Sequence, residues 1–156
     1  FDEVINLRLP AARLDTLPMA DIVAAFSSVF KSFSPTEVLV PHRGDVHSDH
    51  RIAFDVVAAC TKWFRYPSVR RVLSYETASE TEFGSVPESV FRPNYFVDIG
   101  AYLEKKMEIL NSAYHSELGV FPFPRSVEAI RSLAKWRGAT AGFEAAEAFE
   151  LLRERH

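Results

Sequence analysis

Strands alternating with helices predict an α/β layered domain for this chain. Three observations carry that prediction. A short apolar run, Glu37-Val38-Leu39-Val40, has the character of a strand that a parallel sheet buries on both faces. It is flanked by apolar residues at helical spacing, before it from Met19 to Phe33 and after it from Ala53 to Phe64. Further strand-like runs, Val72 to Glu76 and Asn94 to Asp98, recur between helical segments.

The 156 residues suit one domain with its own core. A net charge of -3, with both signs interspersed, offers no field for nucleic acid and no charged tail. The one cysteine, Cys60, excludes an internal disulfide and fits a reducing cytoplasm. No run approaches the roughly 18 apolar residues of a membrane span. No signal peptide is expected ahead of the first element.

Taken in order, Phe1 to Leu9 reads as a strand with Val4, Ile5 and Leu7 buried. A domain opening in mid-sheet is expected to be the C-terminal portion of a larger one. Asp15 or Thr16 is the expected cap of the first helix, with Pro18 in its first turn. Met19, Ile22, Val23, Phe26, Val29, Phe30 and Phe33 share one face, and Ser34-Pro35 ends the helix. After the apolar strand and the histidine turn, a helix is expected from about Asp49 to Phe64. Its inward side would carry Ala53, Val56, Val57, Cys60 and Phe64. The strand ending at Glu76 leads into a long loop, Thr77 to Arg92, whose length fits a rim or lid. Asp98 would cap a helix from Ala101 to Ser116 that buries Leu103, Met107, Leu110 and Tyr114. Phe121-Pro122-Phe123-Pro124 is a rigid connector. Ser126 caps the next helix, and Gly138 stands where a left-handed C-cap would. Phe143 to Leu152 is a last short strand or helix.

Chemistry concentrates in Pro41-His42-Arg43-Gly44-Asp45-Val46-His47-Ser48-Asp49-His50. The turn follows the carboxyl end of a strand, where open α/β sheets bind ligands. His47 and His50, three apart at a helix start, project to one side. Imidazole is a common metal ligand, and a ligating histidine usually donates its other N–H to a carboxylate, a role Asp49 could fill. A second histidine that binds no metal could act as acid or oxyanion stabiliser. A catalytic zinc normally takes three protein ligands plus water, so this turn supplies only part of a site. The bland reading is a polar loop that caps the helix at Asp49. His42, His115 and His156 carry less signal, and Cys60 reads as core. Neither a Gly-rich phosphate loop nor a serine nucleophile elbow is present.

Several segments in order resemble one family. His47-Ser48-Asp49-His50 after an apolar strand is similar to the second conserved motif of the LmbE-like, or PIG-L, zinc-dependent N-acetylglucosamine deacetylases. The resemblance extends through Asn6-Leu7-Arg8-Leu9-Pro10 and Arg13-Leu14-Asp15. It continues in Tyr75-Glu76-Thr77 with Ser79-Glu80-Thr81-Glu82-Phe83, and in Pro93-Asn94 with Phe96-Val97-Asp98-Ile99. Pro124-Arg125-Ser126, Arg137-Gly138 and Ala146-Glu147-Ala148-Phe149 complete it. The resemblance implies a Rossmann-like three-layer α/β/α sandwich with a mostly parallel sheet, here lacking its N-terminal portion. It implies removal of an N-acetyl group from an amino sugar or sugar conjugate, with zinc, or another divalent metal, as cofactor. It implies an often homo-oligomeric assembly. By position, His50 would be a metal ligand. His47 would stabilise the oxyanion or protonate the amine, and Asp49 would be the carboxylate that sets the imidazole's basicity. Arg43, Asp45 and Arg125 would lie near the sugar.

Two departures matter. The family's first motif, His-Pro-Asp-Asp, which supplies two metal ligands and the general base, is missing. This chain alone is therefore expected to be inactive. Where some relatives carry a tyrosine before the Ala-Glu-x-Phe segment, this chain has Ala145. The competing reading is a non-catalytic, truncated or degenerate domain serving as an oligomeric scaffold.

Overall fold

The structure, a computed structural model, describes residues 3–156. Its regular elements are α1 (Met19–Phe33), β1 (Glu37–Pro41), α2 (Ser48–Ala59), β2 (Arg71–Tyr75), β3 (Tyr95–Asp98), α3 (Leu103–Ala113), α4 (Val127–Ala141) and β4 (Ala146–Glu154). The four strands form one sheet in the order β1-β2-β4-β3. The α/β class is as expected. The mostly parallel sheet is not: β1 and β2 run parallel, but β4 is antiparallel to both β2 and β3. The last strand enters between β2 and β3 from the opposite end.

Two clusters hold the layers together. Phe30 of α1 and Val57 and Cys60 at α2 pack on Val38, Val40 and Val72, with Tyr66 and Val69. Burial pushes the Cys60 thiol above its ordinary range, as befits a core cysteine. Leu103 and Met107 of α3 pack with Ala134 of α4 and Ala145 before β4. Val38 and Val40 are buried, whereas Leu39 between them is 52% exposed. So β1 is covered on one face, not on both, and the three-layer sandwich is not met at this strand.

Local chemistry accounts for the other departures. No strand forms over residues 3–9, where Val4 is 79% exposed; Phe1 and Asp2 lie outside the described residues. The Asn6 side chain takes the Arg8 backbone N–H at 2.8 Å, and Arg8 adopts φ 53°, which breaks an extended chain. Neither Asp15 nor Thr16 caps α1; both lie in a single 3-10 turn, and Pro18 stands at the N-cap without a side-chain bond. Helix α1 ends on Ser34 at φ 52°, since a residue before proline is disfavoured in the right-handed helical region. Helix α2 stops at Ala59, and Phe64 beyond it is 63% exposed. Helix α3 begins at Leu103 rather than Ala101 and ends at Ala113, leaving Tyr114 outside the core. Asp98 accepts from the Gly100 N–H two residues on. Helix α4 runs past Gly138 to Ala141, and Gly142, at φ 81°, is its left-handed C-cap.

Candidate active site

The site grows from the carboxyl ends of β1 and β2, which lie side by side because the two strands are parallel. Beyond Pro41, the Asp45 N–H bonds back to the His42 carbonyl at 3.2 Å and turns the chain toward α2. His47 is the N-cap of α2: its Nδ1 accepts the Asp49 N–H at 3.1 Å. The His50 N–H reaches the His47 carbonyl at 3.2 Å, and the two rings stack with centroids 5.0 Å apart. The shared side expected from their spacing is therefore present.

The partner of His50 is Asp45. Its Oδ2 lies 2.7 Å from His50 Nδ1, and its Oδ1 takes the Thr81 hydroxyl at 2.6 Å. The Asp45 side chain is 0% exposed, against 28% for His50. Asp45 thus faces an imidazole rather than an open surface. Asp49, expected to set the imidazole's basicity, instead points at the N-terminal segment. Its carboxylate accepts the Ala12 N–H at 2.6 Å and the Leu14 N–H at 3.1 Å. The cause is the cap: once His47 binds the Asp49 N–H, the Asp49 side chain sits in the first turn of α2 and faces donors outside the helix.

Tautomers follow from these bonds, because a neutral imidazole donates from one nitrogen and accepts at the other. A carboxylate only accepts, so His50 presents its proton at Nδ1 and keeps a free lone pair at Nε2. His47 accepts at Nδ1, so its neutral ring carries the proton at Nε2. The stacked pair therefore combines one basic and one donating nitrogen. Beside it, burial and then the Asp45 charge push the Tyr75 phenol above its ordinary range.

The remaining predicted residues lie elsewhere. Arg43 is exposed and bound to Asp55 at 2.9 Å, which holds its guanidinium charged. Arg125, before α4, rests over the Phe123 ring and borders a cavity of about 260 Å³ with Lys106 and Arg137. A larger cavity of about 450 Å³ adjoins it, walled by Thr77, Thr81, Phe91, Leu133, Glu76 and Arg137. Glu76 and Arg137, 61 residues apart, form a bidentate pair at 2.8 and 2.6 Å.

Some participants carried little or no signal in the sequence. His42 is buried, with Nε2 2.7 Å from the Ser89 carbonyl and Nδ1 3.2 Å from Glu150. Thr81 was legible only as part of a threonine- and glutamate-rich loop. That loop meets the histidine turn backbone to backbone. The Val46 N–H binds the Glu80 carbonyl at 3.2 Å. A Cβ on Gly44 would stand 2.2 Å from the Ser89 oxygen, and one on Gly84 2.4 Å from the Gly44 oxygen. Among the described residues no group of three or more His, Cys, Asp or Glu could hold a metal ion, and no helix is long and apolar enough to cross a membrane.

No family profile and no curated protein matches this chain. Solved structures do match in fold. A conserved protein from Thermus thermophilus, TT1542, shares it at TM-score 0.70 and 24% identity, over 97% of this chain and 66% of that one. The N,N'-diacetylchitobiose deacetylase of Pyrococcus horikoshii shares it at TM-score 0.65 and 17% identity, over 88% of this chain and 53% of that one. The chain thus spans between half and two thirds of the structures it resembles.

Proposed function

We propose that this chain carries the histidine side of a hydrolase site that removes an N-acetyl group from an amino sugar or sugar conjugate. The observation that carries the reading is His50, held at Nδ1 by a fully buried aspartate with Nε2 left free, beside His47 with the opposite tautomer. The fold shared with a diacetylchitobiose deacetylase supports the choice of an acetamide substrate.

Zinc, or another divalent ion, is the proposed cofactor. The fit is partial. A ligating histidine is expected to have its far nitrogen on a carboxylate, as His50 has. A zinc site needs three protein ligands, and the described residues do not assemble them. In the proposal His50 supplies one ligand and the others lie outside these residues. A metal there would supply Lewis acidity toward the acetamide carbonyl.

The chain's own residues supply the orientation and the oxyanion contact. Asp45 orients His50. The Nε2–H of His47 is aimed, in this reading, at the oxyanion of the tetrahedral intermediate, to which it would donate a hydrogen bond. Ala145, one of the most buried residues, offers no hydroxyl to that oxyanion, so His47 bears the task. The larger cavity, bordered by Thr81, would receive the sugar.

The test uses the full-length protein, supplied with zinc and N-acetylglucosamine or N,N'-diacetylchitobiose, with acetate release and bound zinc both measured. His50→Ala is expected to lose zinc and turnover, and His47→Ala to keep zinc and lose turnover about 100-fold or more. Equal zinc loss in the two variants sinks this division of roles. Neither zinc nor acetate release in the unmodified protein would favour the oligomeric-scaffold reading, which has its own support in the structural bonds of His47 and Asp49. Sedimentation would then decide whether copies assemble.

A further inference from the structure

We infer that Thr81 is a positioning residue for His50, acting through Asp45, and that it makes the state of this imidazole depend on the fold of the 77–91 loop. The inference rests on the reading of His50 as the working imidazole, but its test does not.

A carboxylate buried as fully as Asp45 must be hydrogen-bonded, and it can only accept. Its two oxygens have one short contact each, His50 Nδ1 at 2.7 Å and Thr81 Oγ1 at 2.6 Å. Both partners must therefore donate. A threonine hydroxyl can donate or accept, so something has to set its direction. The Thr77 backbone N–H does so, because it can only donate and it lies 2.7 Å from Thr81 Oγ1. The bonds thus run one way: Thr77 N–H to Thr81, Thr81 O–H to Asp45, and His50 Nδ1–H to Asp45 from the other side.

This direction is built by the loop, not by the histidine turn. The N–H groups of Glu80 and Thr81 both close on the Thr77 carbonyl at 3.0 Å, and this turn is what brings Thr77 N–H against Thr81 Oγ1. The same turn offers the Glu80 carbonyl to Val46, one residue beyond Asp45. Thr77, Ala78, Thr81 and Glu82 also wall the cavity of about 450 Å³. A ligand seated there touches the segment that aims the hydroxyl at Asp45. Without that hydroxyl, Asp45 keeps a single donor and is free to turn about its side-chain bonds. The Nδ1–H form of His50 then loses the fixed acceptor that selects it.

The experiment is ¹⁵N imidazole spectroscopy of the full-length protein, in chelator at about pH 8.5, where unperturbed imidazoles are neutral. The unmodified protein is expected to show His50 protonated at Nδ1. Thr81→Val should mix the two tautomers, Thr81→Ser should restore the first, and Asp45→Ala should leave Nε2–H dominant. Unchanged His50 signals in Thr81→Val overturn the inference. Should that variant misfold, seen in its amide spectrum, Thr81→Ala, which removes the hydroxyl without adding bulk, decides in the same way. Turnover gives an independent reading. kcat for acetamide cleavage should fall about tenfold in Thr81→Val with KM little changed, and recover in Thr81→Ser. If no N-acetyl sugar is turned over, the proposed activity fails while the tautomer result still stands or falls alone.

Discussion

His42 shows how much one side chain can hold. Its ring is buried under Phe91, with centroids 5.3 Å apart; its Nε2 bonds the Ser89 carbonyl of the 77–91 loop, while Nδ1 lies 3.2 Å from Glu150 of β4 without a hydrogen bond. Truncation would leave the Ser89 carbonyl facing an empty space. His42→Ala is therefore expected to cost about 1–3 kcal/mol, measured by urea unfolding. A loss below about 0.5 kcal/mol would mean that water replaces the ring without penalty. His42 gave no sign of this in the sequence, where it is one polar residue of a polar turn. By contrast, the pairing of His47 with His50 was legible, because a helix start fixes which side residues three apart will share. Asp45 was legible as chemistry but not as to partner. Whether an aspartate in a turn faces a ligand or an imidazole depends on the neighbouring loop, and Thr81 is 36 residues away.

Among the elements, α4 was legible at its start but not at its end, and it also supplies the back wall of both cavities. Its start follows from Ser126, whose hydroxyl accepts the Ala129 N–H at 3.1 Å in a buried setting. Ser126→Ala should cost about 1 kcal/mol in chemical denaturation, within the 0.5–2 kcal/mol range of such caps. An unchanged midpoint would show that the bond contributes nothing. The first helix was legible along its length for a different reason, a stripe of apolar residues at helical period, whereas its cap was not. The extended reading of residues 3–9 failed because apolar content alone does not make a strand. A ladder partner is required, and the Asn6 side chain competes for the backbone instead.

At the scale of the molecule, the class was readable from alternation, but strand direction was not. Direction depends on which end of the sheet a connection returns to, and no residue of β4 encodes that. The pair that ties the end of β2 to α4, Glu76 and Arg137, is largely shielded, with side chains 17% and 18% exposed. A double-mutant cycle on Glu76→Gln and Arg137→Gln should give a coupling of about 0.5–3 kcal/mol, and additivity would show that the pair contributes no coupling of its own. The contact between the 77–91 loop and the histidine turn is of another kind, since it runs through Gly44, Gly84 and the Ser89 carbonyl and leaves no room for a side chain. In a saturation library, these two glycines, 40 positions apart, would form a correlated pair of intolerant sites. Neither could be rescued by a compensating substitution at the other, because the nearest opposing atom in each case is a backbone oxygen. The docking of the loop is thus shielded from gradual drift, while the side chains along its cavity wall, Thr81 apart, remain open to change.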